Sequence, residues 1–257
     1  MVKGLLIDID GVILRDDAAL PGAKELVAWL LETRARFLFL TNYPSQTPAD
    51  LAGRLTESGI AVPAQHFFTS AMATAEFLEK QAGTRRRAFV VGEGALVHEL
   101  YKIGFTMSDT DADFVVLGET RHYNFDMIQH AAALVARGAR FVATNPDVAG
   151  PAGRPSCGAF AAPIERMTGK SPFYVGKPNP FMMRAGLSRL GVHSAEACMV
   201  GDNLATDIIA GVQSGMETIL VLSGVSREQD LDRVAYRPDW IVKDAFELRE
   251  TLARSVA

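Results

Sequence analysis

Along this 257-residue chain, short unbroken runs of apolar residues alternate with stretches whose apolar positions recur every three to four residues. Unbroken runs mark strands buried on both faces, and the longer period marks helices with one apolar stripe. Residues 4–9 read as a buried strand, 21–35 as a helix with Leu26, Leu30 and Thr33 on one face and Trp29 beside them, and 36–40 as a second strand. Thr47-Pro48-Ala49-Asp50 supplies an N-cap, a proline at the first helical position and an acid in the first turn, and Gly59 stops that helix. The same grammar continues with helix 71–81, strand 88–91, a helix after Gly92-Glu93-Gly94, strand 113–117, helix 125–137 and strand 140–143. A turn-rich stretch, 145–158, holds Pro146, Pro151 and Pro155; such a segment inside a compact domain is often functional. Beyond it come strand 173–175, helix 180–190, strand 197–200, helix 206–215 and strand 218–222, while Phe67-Phe68 and Met182-Met183 read as core. This syntax predicts an α/β fold: a doubly wound, Rossmann-like parallel sheet with helices on both faces.

Composition narrows the function classes. Hydrophobic residues make up 48% and charged residues 22%, which excludes wholesale disorder and suffices for a core without disulfide or metal staples. The net charge of −4 gives no footprint for a nucleic acid polymer or an anionic membrane, so an anionic ligand would need a local cluster of donors. The one like-charge run, Arg85-Arg86-Arg87, reads as a solvated turn. Cys157 and Cys198 lie far apart in no metal spacing, which argues for a reducing compartment, and the five histidines show no zinc spacing. The first fourteen residues are interrupted by Asp8 and Asp10 and read as neither signal peptide nor membrane span. A cytoplasmic protein is expected; no heptad or apolar stripe speaks to its oligomeric state, and a homo-oligomer is left open.

The chemistry concentrates at strand ends. Asp8-Ile9-Asp10-Gly11 follows the first strand; side chains two apart on a strand point the same way, and two carboxylates at a buried strand end need a cation or a proton. That edge is where open α/β sheets bind ligands, and Gly11 lets the backbone turn sharply there. A second acidic group, Gly201-Asp202-Asn203-Leu204-Ala205-Thr206-Asp207, follows another apolar run. Asp207 alone reads equally well as a helix cap, but acids at two strand ends make an oxygen-rich site of the kind that suits Mg²⁺. Thr41-Asn42, ending the strand 36–40, offers a hydroxyl and backbone amides at the same edge, and Lys177 sits on the rigid loop Gly176-Lys177-Pro178-Asn179-Pro180. Carboxylates, a hydroxyl, amides and a fixed positive charge form an electrostatic inventory for phosphoryl transfer. No Walker sequence is present, and Gly92-Glu93-Gly94 lacks the third glycine of a dinucleotide loop, with Val97 in its place.

In order along the chain, Asp8-x-Asp10-Gly11-Val12, Leu40-Thr41-Asn42, Gly176-Lys177-Pro178 and Gly201-Asp202-x4-Asp207 resemble the four motifs of the haloacid dehalogenase superfamily. The wider wording (LTNYPSQT, ATNPD, PFYVGKPNP, GDNLATDI, ETILVLSGV) resembles the NagD-type ribonucleotide monophosphatases over nearly the whole chain. The resemblance implies Asp8 as nucleophile forming an aspartyl-phosphate, and Asp10 as acid toward the leaving alkoxide and then base toward water. It further implies that Thr41, Asn42 and Asn203 contact substrate and that Lys177 offsets charge. Mg²⁺ (or Mn²⁺ in its place) would be held by Asp8, the Asp10 carbonyl and Asp202, with Asp207 orienting the cluster. It also implies an inserted α/β cap at 69–175 between core segments 1–68 and 176–257, with Asn145 and Asp147 as candidate specificity residues. The expected activity is hydrolysis of a small phosphomonoester, with nucleoside 5′-monophosphates, UMP first, as substrates. Sugar-phosphate or broad-specificity phosphatases, a phosphotransferase and a non-catalytic phosphoester-binding protein remain alternatives. A dehalogenase is disfavoured by the presence of Asp10, and a response-receiver module by the length of the chain.

Overall fold

The computed structural model describes residues 2–150 and 153–256, so Pro151 of the turn-rich stretch lies outside the described residues. The chain divides into two compact units, one of residues 1–41, 48–68 and 177–257, the other of 42–47 and 69–176.

The first unit opens with β1 (Gly4–Ile7), a short antiparallel hairpin of β2 (Leu14–Arg15) and β3 (Ala18–Ala19), α1 (Ala23–Glu32), β4 (Phe37–Thr41), α2 (Pro48–Glu57) and β5 (Phe67–Thr69). In the second unit follow α3 (Ser70–Gln81), β6 (Arg87–Val91), α4 (Gly94–Lys102), β7 (Thr106–Met107), β8 (Phe114–Leu117), α5 (Phe125–Ala136), β9 (Arg140–Ala143), α6 (Cys157–Thr168) and β10 (Phe173–Tyr174). The chain then re-enters the first unit with α7 (Pro180–Leu190), β11 (Ala197–Gly201), a π-turn (Leu204–Ile208), α8 (Ile209–Ser214), β12 (Glu217–Val221), β13 (Trp240–Val242) and α9 (Ala245–Val256).

The sheet of the first unit has the order β13-β12-β11-β1-β4-β5, and its registered pairs are parallel. β1 lies in mid-sheet, and from it the chain builds outward through β4 and β5. It then returns to the other side of β1, so the order reverses at β1, the position where such sheets open a crevice for ligands. The unbroken apolar runs are explained by burial on both faces. Leu5 and Ile7 join Leu26, Val27 and Leu30 of α1, Leu51 and Leu55 of α2 and Leu248 and Leu252 of α9 in one buried layer. Leu6, between them in sequence, points the other way, toward Gly186 of α7. Phe67, Phe68, Met182 and Met183 are all buried. The second unit contains a five-stranded sheet, β10-β9-β8-β6-β7, with residues of α5 and α6 packed into one buried apolar cluster with β8 and β9.

Three local expectations are corrected. Thr33 is exposed at the C-cap of α1, where its hydroxyl donates to the Trp29 carbonyl, and Val27 takes the buried place beside Leu26 and Leu30. Arg85 and Arg87 pair with Asp111 and Asp113, and Arg87 begins β6, so the basic run is a neutralised strand edge rather than a solvated turn. The helix expected at 206–215 starts earlier, as a π-turn in which the Ile208 amide donates to the Asn203 carbonyl five residues back at 3.2 Å. None of the described helices is long and apolar enough to cross a membrane.

Candidate active site

The first strand ends at Ile7, two residues before its expected limit, because the chain leaves the sheet to wrap around the Ile9 carbonyl, which accepts from the amides of Ile13 and Leu14. The period of two therefore does not carry Asp8 and Asp10 to a common partner. Asp8 meets Lys177, whereas Asp10 meets Arg54.

Register brings the remaining acids close. Ile7 pairs with Val200 on one side and Phe39 on the other, and the Asp8 amide donates to the Val200 carbonyl at 2.9 Å. The carboxyl ends of β1, β4 and β11 are thus level, carrying Asp8, Thr41 and Asp202. Thr41 is buried as the last residue of β4. Asp8, Asp202 and Asp207 each present an oxygen within 4.8 Å of the others. Lys177, 2% exposed, places its Nζ 2.7 Å from Asp8 Oδ1, 2.7 Å from Asp207 Oδ1 and 3.2 Å from the Leu40 carbonyl.

The π-turn has a specific effect here. It puts Asp207, fully buried, under the Asn203 amide, which donates to its Oδ2 at 3.2 Å, while its other oxygen meets Lys177. Asn203 spends its own Oδ1 on the Ala205 amide at 2.9 Å.

Three carboxylates and one ammonium leave the cluster with excess negative charge, and the proton affinities register it. Burial raises the Asp8 pKa well above the usual carboxylate range; Lys177 opposes this, and Asp207 and Asp202 add to it. Burial, then Asp207, pushes Asp202 up to about 7. Burial alone would lower the Lys177 pKa, but the carboxylates of Asp207 and Asp8 override it and keep the amine charged. Burial also raises Asp10, with Arg54 pulling the other way. Hard oxygen donors carrying more negative charge than one lysine neutralises suit a Mg²⁺-sized cation.

Residues that pattern reading passed over hold Asp202. Its Oδ2 accepts from the Val225 amide at 2.6 Å, and its carbonyl accepts from the Ser226 amide at 3.0 Å. The loop after β12 comes so close that a Cβ on Gly224 would lie 1.8 Å from Asp202 Oδ2. Gly11, at φ +85, closes the other side, where a Cβ would lie 2.2 Å from the same oxygen. Gly224 stands in the run ETILVLSGV, which pointed to family without pointing to a role. Gly224→Ala should force this loop and Asp202 apart, with an overpacking strain of about 1–3 kcal/mol. Activity should fall at least about tenfold, since 1.36 kcal/mol of misplaced barrier suffices for that. Wild-type turnover in a folded Gly224→Ala enzyme would mean that the cradle is not needed.

Asn42, Asn145 and Asp147 form a cluster within the second unit. Asn42 Nδ2 donates to Asp147 Oδ2 at 2.8 Å, and Asn145 Nδ2 donates to the Asn42 carbonyl at 2.8 Å and to Glu119 Oε1 at 3.3 Å. Asn145 Oδ1 accepts from the Asp147 amide at 3.1 Å, and Asn145 is fully buried. Its polar capacity thus goes into the fold of this loop. Glu119, absent from the sequence-based set, is raised in pKa by burial and also accepts from Ser156.

The chain is similar to known proteins over nearly its whole length. Residues 5–106 match the family described as haloacid dehalogenase-like hydrolase, and residues 174–248 match a HAD-hydrolase-like family. The chain is 53% identical to the ribonucleotide monophosphatase NagD of Escherichia coli K12 over 247 residues, 96% of this chain and 98% of that one. The solved structure of NagD superposes with a TM-score of 0.92, covering 96% of this chain and 98% of that one at 54% identity. A dihydroxyacetone phosphatase of Corynebacterium glutamicum is 42% identical over 95% of this chain and 90% of its own. A glycerol phosphate phosphatase from Mycobacterium tuberculosis, solved in complex with magnesium, is 30% identical with a TM-score of 0.89, covering 96% of this chain and 76% of that one. By sequence, fold and the acids gathered at its strand ends, the chain belongs to the haloacid dehalogenase-like hydrolases, as a phosphatase of their NagD-like branch.

Proposed function

We propose that this enzyme hydrolyses nucleoside 5′-monophosphates, UMP first, by Mg²⁺-dependent transfer of the phosphoryl group to Asp8. The carrying observation is the bridge of Lys177 Nζ between Asp8 and Asp207, with Asp202 in the same 4.8 Å cluster. An attacking carboxylate and a phosphate repel each other, and a buried ammonium fixed beside the nucleophile offsets that repulsion without having to reorganise. Asp8 attacks phosphorus, the P–O bond to the leaving alkoxide breaks, and Asp10 gives that oxygen its proton. Asp10 then takes a proton from the water that hydrolyses the aspartyl-phosphate. Thr41, Asn42 and Asn203 hold phosphoryl oxygens, and Asp147, kept in place by Asn145, takes part in reading the leaving group. Asp8, the Asp10 carbonyl and Asp202 would hold Mg²⁺, with Asp207 orienting Lys177; the ion supplies charge neutralisation at nucleophile and phosphoryl oxygens. The free, buried thiols of Cys157 and Cys198 support a reducing, cytoplasmic setting.

The nucleotide reading rests on the name of the E. coli relative. The Corynebacterium and Mycobacterium relatives, named for dihydroxyacetone and glycerol phosphates, support a second reading in which the leaving group is a small sugar or polyol. Phosphate release from UMP, GMP, sugar and triose phosphates and p-nitrophenyl phosphate, with Mg²⁺ and with chelator, separates them. Preference for UMP supports the first reading and preference for a triose or sugar phosphate the second. Turnover undiminished by chelator would overturn the metal assignment.

Metal affinity carries its own pH signature. Between the usual carboxylate range and about 7, folded Asp202 binds more protons than the unfolded chain does, so metal-free stability falls as pH rises through that window. Mg²⁺ competes with those protons. Its stabilisation, read as the rise in Tm on adding the ion, should therefore grow from pH 5 to pH 8. A rise in Tm independent of pH would show that the ion binds elsewhere.

A further inference from the structure

Arg54 lies in the last turn of α2 between the buried Leu51 and Leu55, with 16% of its side chain exposed. Its guanidinium reaches three acceptors in one loop. Nη2 donates to Asp10 Oδ1 at 3.3 Å and to the Asp16 carbonyl, and Nε donates to Asp17 Oδ1 at 3.0 Å. Asp16 occupies the left-handed region at φ +53, which aspartate tolerates in a tight turn, at the tip of the β2–β3 hairpin. The base of the same loop is pinned by the Gly11 amide donating to the Leu14 carbonyl at 2.7 Å. A planar fork can serve several acceptors at fixed angles, as a lysine cannot.

We propose that Arg54 is a positioning residue for Asp10: by occupying Oδ1 and tethering the hairpin tip, it fixes the carboxyl so that Oδ2 is the oxygen that passes the proton to the leaving group. The proposal rests on the reading of Asp10 as the acid, and it concerns orientation of the carboxyl rather than its charge. No bond to substrate is assigned to Arg54.

The test reads the first chemical step alone, by single-turnover release of the leaving group with enzyme in excess. A nucleoside 5′-monophosphate (or a sugar phosphate, if the substrate panel favours one) leaves as an alkoxide that needs a proton; p-nitrophenyl phosphate leaves as a stable anion that does not. Arg54→Met keeps an apolar stem and drops the fork. It should slow alkoxide release about tenfold or more, a fraction of what a positioned acid supplies, and nitrophenolate release by less than about threefold. Arg54→Lys should recover part of the alkyl rate, and Arg54→Met with Asp10→Asn should be no slower than Asp10→Asn alone. Equal slowing of both esters, or additivity with Asp10→Asn, would reduce Arg54 to a structural tie and overturn the proposal. Unchanged rates would overturn it too. If Asp10→Asn itself fails to separate the two esters, the acid assignment falls and this proposal with it. If Asp10→Asn separates them and Arg54→Met does not, only the role of Arg54 falls.

Discussion

Asp8→Asn is expected to fold as the parent does and to lose turnover by roughly 10⁴-fold or more, the scale on which deleting a covalent nucleophile disables other enzymes. An amide keeps the size and the acceptor oxygen that Lys177 Nζ meets at 2.7 Å, so packing is preserved. It also removes one of three carboxylates crowded within 4.8 Å, and Asp8 is held above the ordinary carboxylate range, first by burial and then by its acidic neighbours despite Lys177. The variant should therefore be no less stable than the parent near neutral pH without metal. The check is phosphate release beside a thermal melt. Hydrolysis at more than a few per cent of the parental rate from a folded Asp8→Asn protein would end the covalent assignment.

Lys177→Met should damage both stability and rate. Its Nζ is the positive group bridging Asp8 and fully buried Asp207, and removing one partner of a buried ionic cluster costs about 3–5 kcal/mol. At 2–4 °C per kcal/mol for a chain of this size, Tm should drop by roughly 10 °C. The loss has a direction in pH. Lys177 is what opposes the burial-driven rise of the Asp8 pKa, so without the ammonium Asp8 is held protonated to higher pH still, and the deficit should be smaller at pH 5 and larger at pH 8, where folding must bury its charge. Adding Asp207→Asn should restore much of the stability and none of the turnover. A Lys177→Met protein melting with the parent at pH 8 would show the buried bridge to be energetically idle.

The architecture was legible because buried parallel strands leave short unbroken apolar runs such as residues 4–7 and 197–200, in alternation with longer helical stretches. The acids were legible because strand ends in such sheets have a known chemical fate. Several short pieces were not. β2, β3 and β7 are two residues each, below the length at which a period of two can register, and their stability comes from their neighbours. The terminal helix α9 is only weakly apolar overall, yet Ala245, Leu248 and Leu252 recur at three and four residues on its buried side. The π-turn was hidden because its extra residue breaks the very period by which a helix is read. Arg54 looked like an ordinary charge on an amphipathic helix, since nothing in its local sequence announces that residues 10, 16 and 17 fold back to it. Gly224 carried the same difficulty: a glycine after a strand signals a turn, and the carboxylate pressed against it comes from 22 residues upstream.

The pairing of Gly4 with Ala197 has a consequence for how the molecule comes into being. β1 lies in the middle of its sheet, and the edge that meets β11 stays unsatisfied until nearly two hundred further residues exist. Contacts of such long sequence separation are slow to form, because the intervening chain must be gathered before they return any free energy. Lys177 and Asp8 stand 169 residues apart, and Asp202 comes later still. Assembly of this acid and lysine cluster is thus a late event on the ribosome, delayed until the residues of the second unit have been made. In the interval β1 offers an open, apolar strand edge, the kind of surface on which a nascent chain pairs wrongly.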